Sequence, residues 1–127
     1  MSISFDSALG VHPYALDVRA DRARILAGNL ANVDTPGYLA RDVDYKSILG
    51  RVARQVAAGE QGSVISQGET DMQHPLYRIP YQVSMDGNTA ELSVEQSKVA
   101  SNATDFQTSL TFLNMKITGI AKAIEGR

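Results

Sequence analysis

Few residues in this chain could do chemistry. His12 and His74 are the only histidines, and cysteine is absent. Thiolate metal centres, disulfides and cysteine nucleophiles are therefore excluded. Glu69, Asp71 and His74 could be gathered round a metal ion, but they fall in a stretch rich in Gly, Ser and Gln, where spacing does not specify a site. His12 has no second ligand within helical reach, so a packing or surface role is expected. Asp42 and Asp44 share a face of an extended chain, and two close carboxylates can carry acid–base hydrolysis. No aromatic cleft accompanies them, and a solvated turn is the expectation. The chain has no phosphate loop, no G-x-S-x-G and no dinucleotide fingerprint. No catalytic, cofactor-binding or metal-binding residue is expected, and no small-molecule substrate.

Composition narrows the partners. The 127 residues suffice for one domain. With 43% hydrophobic and 20% charged residues, the chain is neither disordered by composition nor membrane-like. A net charge of −2 argues against nucleic acid, because phosphate binding needs a basic face. Tryptophan is absent and aromatics make up 6%, which leaves no platform for stacking bases or sugars. The opening segment, MSISFDSALG, lacks the basic start and apolar core of a secretory signal, and no run of apolar residues is long enough to span a membrane. The expectation is a protein that stays in the cytoplasm or leaves it by a route that cleaves no signal.

With little chemistry to position, the chain is organised around its last third. Val99, Ala103, Phe106, Leu110, Leu113, Ile117, Ile120 and Ile124 are separated by alternating steps of four and three. That is a heptad seam, and it predicts a long helix paired along its length with another. Ser93 and Gln96 read as a capping box at its start. Its remaining polar positions are mostly Ser, Thr, Asn and Gln rather than Glu and Lys, as expected of a helix crowded on more than one side. Phe112 and Met115 form a smaller apolar patch behind the seam.

A second long helix is predicted from Asp6 to about Val33. Leu9, Leu16 and Leu30 lie on one face and Val11, Val18 and Ile25 on the opposite one. Pro13 would break or kink it, or mark the first turn of the part that follows. The fold class expected is mainly α: long N- and C-terminal helices paired as a coiled coil, with a short helix and an extended or loop segment between. Segments 1–33 and 89–127 would form one helical core domain, with 34–88 inserted. The predicted intrachain seam is Leu9, Leu16, Leu30, Phe106, Leu110, Leu113, Ile117 and Ile120. Val11, Val18, Ile25, Phe112 and Met115 are the candidate subunit contacts. Between the helices, Asn32 can end the first in a left-handed conformation, Asp34 and Thr35 offer acceptors, and Pro36-Gly37 suits a type II turn. Asp44 to Ala58 reads as a short amphipathic helix ending at Gly59. A short strand is predicted at Val64-Ile65, an extended stretch over 77–84 and a turn at Asp86-Gly87.

The run Asn29-Leu30-Ala31-Asn32-Val33-Asp34-Thr35-Pro36-Gly37-Tyr38 resembles the N-terminal signature of the bacterial flagellar rod and hook proteins. The long amphipathic C-terminal helix is also similar to theirs. Ala40 to Asp44, Tyr77 to Pro80 and Met85 to Thr89 look like the branch that builds the proximal rod. The resemblance covers nearly the whole chain except 51–73. It implies a structural subunit of the basal-body rod, polymerising through its terminal helices into a hollow drive shaft. It also implies export through the flagellar type III apparatus without a cleaved signal, into the rod that spans the periplasm. The partners implied are other rod proteins, copies of itself, and membrane-ring and export-gate components at the rod base. In that family the signature residues, Asn29 to Asn32 and Asp34 to Tyr38, would act as the assembly motif. The alternative is a soluble helical coiled-coil adaptor or export chaperone.

Overall fold

The computed structural model describes residues 5–60 and 74–126. The strand predicted at Val64-Ile65, and Glu69 and Asp71 of the metal reading, lie outside them. The N-terminal helix is two helices, not one. α1 spans Phe5–Leu9 and α2 spans His12–Ala31. Gly10 separates them at φ 64°, a left-handed conformation that glycine adopts without a Cβ penalty. Pro13 lies in the first turn of α2, where its missing N–H would have had no helical partner. α2 closes at Asn32, whose φ of −112° is not the left-handed cap expected. The side chain does the capping: Asn32 Nδ2 donates to the Gly28 carbonyl at 2.8 Å.

The chain then turns and forms β1, Arg41–Asp42, which pairs antiparallel with β2, Leu76–Tyr77, with Arg41 opposite Tyr77. Between them α3 runs from Tyr45 to Ala57. Asp44 caps it by accepting from Ser47 N at 3.2 Å. α4, Leu92–Glu125, has 34 residues and is about 51 Å long. It begins one residue before Ser93, with Glu91 as its uncapped N-cap, so the Ser93–Gln96 capping box does not form.

The apolar core lies between α2 and α3. Ile48 and Val52 of α3 pack with Val18 and Val43, and Val11, Tyr14, Ile25, Tyr45, Leu49 and Val56 close around them. This corrects one expectation. Val11, Val18 and Ile25 form a second apolar face of α2 as their spacing predicts, but α3 covers it within the same chain, and Val18 is 6% exposed.

α2 and α4 pack antiparallel. Asn29 meets Glu95, Arg19 meets Asp105 and His12 meets Phe112. The steps along the two helices match, ten residues and then seven, so one register holds over the pairing.

Candidate assembly interface

The helix pair is held by a largely polar seam that also buries Ala15 and Leu26. The buried residues of α4 are Glu95, Asn102 and Ser109, one heptad apart. Lys98, Asp105 and Phe112 complete a row with the same three–four spacing. Its counterpart on α2 is His12, Ala15, Arg19, Arg22, Leu26 and Asn29, of which Ala15, Arg22, Leu26 and Asn29 are buried. The cross-helix bonds are specific. Arg19 donates to Asp105 Oδ2 at 2.8 Å and to Ser109 Oγ at 3.1 Å. Asn102 Nδ2 donates to the Arg19 carbonyl at 2.9 Å.

The predicted apolar seam lies beside that row and is only partly buried. At 100° per residue it lies about a quarter turn from the polar row. Leu110, Ile117 and Ile124 are 37%, 48% and 77% exposed, while Phe106, Leu113 and Ile120 are half-buried. On α2, Leu16 and Leu30 are half-buried, as is Leu9 on α1. Ala20, Ala23, Ala27 and Leu30 face Val99, Ala103 and Phe106 across an open groove, with Asn102 at its edge. The stripe thus forms one wall of a groove and then continues as a ridge whose residues alternate between exposed and half-buried, on a helix against which α1 also packs. Phe112 and Met115 are also exposed, with the Phe112 ring 6.0 Å from that of His12.

At the other end of the helix pair, the turn after α2 is anchored by Asn29, which makes every hydrogen bond an amide can offer. Nδ2 donates to the Arg41 carbonyl at 2.7 Å and to Glu95 Oε2 at 3.1 Å. Oδ1 accepts from Arg41 N at 3.0 Å and from Tyr38 Oη at 3.3 Å. Glu95 is fully buried and is paired through its other oxygen with Arg78, which also donates to the Thr89 carbonyl. A buried carboxylate without such partners would be costly.

Asn88 Nδ2 lies within hydrogen-bonding distance of the carbonyls of Asn32, Val33 and Thr35 at 2.7–3.0 Å, closing the end of α2 from the far side of the insertion. Tyr38 N donates to Thr35 O at 3.2 Å, and Gly37 sits at φ 71°, as the predicted turn requires. The Thr35 hydroxyl donates to Asn32 Oδ1 rather than accepting. The signature therefore holds together residues from 28 to 95. Asp34 and Pro36 are exposed on its outer side, and Ala31 is exposed on the last turn of α2.

Neither carboxylate of the acid–base reading is free. Asp44 caps α3. Asp42 accepts two bonds from Arg22, at 2.9 and 3.0 Å, and one from Lys98 at 2.8 Å. Burial pushes its pKa up, but the hydrogen bonds from Arg22 and Lys98 outweigh that and hold it lowered, to about 2. The Arg22 guanidinium is raised in turn by its bond to Asp42, and lies 4.3 Å from the centre of the Tyr45 ring. Asp42 thus joins α2, β1 and α4 as a structural ion. Among the described residues no group of three His, Cys, Asp or Glu could hold a metal ion, and His74 is exposed.

Sequence patterning missed Arg78, Glu95 and Asn88. Glu95 reads as a charge at the start of a helix, and its partner lies in a separate segment. The visible signal was the row Glu95, Lys98, Asn102, Asp105, Ser109, which repeats as regularly as the apolar one.

No family model matches the chain. Individual proteins do. The chain is 41% identical to the flagellar basal body rod protein FlgB of Aeromonas hydrophila, covering 99% of this chain and 98% of that one. It is 38% identical to FlgB of Escherichia coli, over 94% of each, and 37% identical to that of Salmonella typhimurium, over 95% of each. Identity at this level over the full length of both chains shows that the protein belongs to the flagellar basal body rod protein FlgB family.

Proposed function

We propose that the protein is a structural subunit of the flagellar basal-body rod, polymerising through its terminal helices. α1 and α2 together with α4 form the assembling helical unit, and the described residues between them, 34–60 and 74–88, brace it. The observation that carries this reading is the exposed apolar stripe of α4. The chain pairs α2 and α4 through a row in which Glu95, Asn102 and Ser109 are buried, and leaves Leu110, Ile117 and Ile124 of the regular hydrophobic row exposed among the described residues, although burying such a row is a strong drive to association. Apolar surface of this kind suits a subunit that is covered by its neighbours. Head-to-tail contacts between such surfaces build an open helical array when the rotation between neighbours does not close on itself.

The role is architectural and no catalysis is assigned. Neighbours are other rod subunits and further copies of this chain, with membrane-ring and export-gate components at the rod base. Export proceeds without a cleaved signal. An in-frame deletion, examined for hook–basal bodies by electron microscopy, tests the role. Loss of hooks and filaments, restored by the wild-type gene, is the expected result. Normal flagella in a strain with no second copy of the gene would overturn it.

A further inference from the structure

The β1–β2 pair turns one face to the helices and one away from them. Arg41 stands opposite Tyr77, and the Arg78 N–H donates to the Ala40 carbonyl at 2.9 Å, so the same register sets Leu39 opposite Ile79. Side chains alternate across a strand. Ala40 and Arg78 face inward, the first fully buried and the second paired with Glu95. Leu39, Arg41, Tyr77 and Ile79 therefore share the outer face, and all four are exposed, Ile79 at 89%. The Arg41 guanidinium lies 5.6 Å from the centre of the Tyr77 ring, which sets its charge above β2. Exposed apolar residues gathered in this way mark an interaction surface, and tyrosine and arginine are enriched in such surfaces.

The outer edge of β2 is open as well. Asn29 takes both the N–H and the carbonyl of Arg41, so Arg41 and Tyr77 exchange no backbone bond. In an antiparallel ladder the N–H and C=O of Tyr77 and Ile79 then point away from β1, and they have no partner among the described residues. Pro80, which lacks an N–H, falls in the alternation on the β1 side and leaves this edge intact. The charge selects the occupant. Arg19, Arg22, Arg78 and Lys98 are each paired with a carboxylate, whereas Arg41 has none among the described residues. A second copy offering its own residues 76–85 would bring apolar side chains but no acid. Resting on the rod-subunit reading above, we infer that β2 receives an extended segment of a different protein as a third strand. That segment is apolar where it lies beside Ile79 and carries an Asp or Glu that meets Arg41. Backbone bonds to Tyr77 and Ile79 hold it, and Arg41, above β2 and so about 4.8 Å from the added strand, sets its register.

The photoreactive residue p-benzoylphenylalanine, placed at Ile79 in the deletion strain, tests this. The variant is first shown to restore swimming. Basal bodies are then purified and irradiated, and the adduct is mapped by mass spectrometry. The expected result is an adduct with another protein, at an extended segment that carries Asp or Glu. Arg41→Glu should lower its yield about tenfold, Arg41→Lys should keep it, and replacing the mapped acid with Lys should restore it in the Arg41→Glu background. That exchange of charges separates recognition from misfolding, which it could not repair. A loss that the exchange does not restore, or a yield that Arg41→Glu leaves unchanged, would overturn the inference. So would an adduct between two copies, an adduct confined to this chain, or no adduct in assembled rods. Absence of the wild-type protein from purified basal bodies would overturn the rod reading itself, and the inference with it.

Discussion

Asn29 Nδ2 donates to Glu95 Oε2 at 3.1 Å, joining the last turn of α2 to the first turns of α4 across 66 residues of sequence. Both side chains are buried, and the same amide reaches the backbone of Arg41 and the hydroxyl of Tyr38. One residue thus fixes the exit of α2, the start of β1 and the position of α4. Replacing it with alanine leaves the Arg41 N–H and C=O and one Glu95 oxygen without this partner. Asn29→Ala is expected to lower stability by roughly 2 to 4 kcal/mol. A urea midpoint measured by circular dichroism checks this, and a shift worth under about 0.5 kcal/mol would contradict it.

The Glu95–Arg78 pair gives a sharper test because the single change at Arg78 differs from the double. Arg78→Met strands a fully buried carboxylate and should cost roughly 3 to 5 kcal/mol. Adding Glu95→Gln in that background removes the stranded charge, keeps an acceptor for the Asn29 amide, and should recover at least half of the loss. Additive losses in the double variant would show that the two residues do not act on each other.

Asp42 makes stability depend on acid. Its carboxyl is held at about 2 in the fold, below the ordinary 3.8, by bonds from Arg22 and Lys98 that outweigh its burial. The stabilisation is fully present above about pH 4 and is lost as pH falls toward 2. It amounts to roughly 2 kcal/mol. Unfolding of the wild type and Asp42→Asn at pH 6 and pH 2 should show the gap between them narrowing by about that amount at the lower pH. A constant gap would contradict the ion pairing.

Asn88 Nδ2, with two N–H groups, lies 2.7–3.0 Å from three carbonyls at the end of α2. Asn88→Ala should destabilise the turn by roughly 1 to 3 kcal/mol. It should also raise hydrogen exchange at Thr35 and Tyr38, whose N–H groups close the turn. Exchange unchanged at those two amides would show that the turn stands without it.

Much of the fold was legible because periodicity reports secondary structure directly. The face of α3, with Ile48 and Val52 inward, follows from spacing, as does the turn at Pro36-Gly37. The face of α4 did not follow. Two rows with heptad spacing run along it, and the usual rule sends the apolar one inward. Here Glu95, Asn102 and Ser109 are inside, because Asn29, Arg19 and Arg78 supply partners from elsewhere in the chain. Those partners are brought together only by the fold, so single-sequence patterning could not weigh them. The same holds for Val18, whose outward face is covered by an α3 that the sequence predicts but does not position.

On the rod-subunit reading proposed above, the polar row holds the chain together and the apolar row holds the rod together. Ile117→Glu separates the two, since Ile117 is 48% exposed and has no polar role in the fold. Its urea midpoint should match the wild type to within about 0.5 kcal/mol. The decisive measurement is the number of hook–basal bodies per cell in the deletion strain expressing this variant at wild-type level. Hooks are expected to fall at least tenfold. Wild-type numbers of hooks would contradict it, because a charge would then be tolerated in the middle of the surface on which assembly is said to depend.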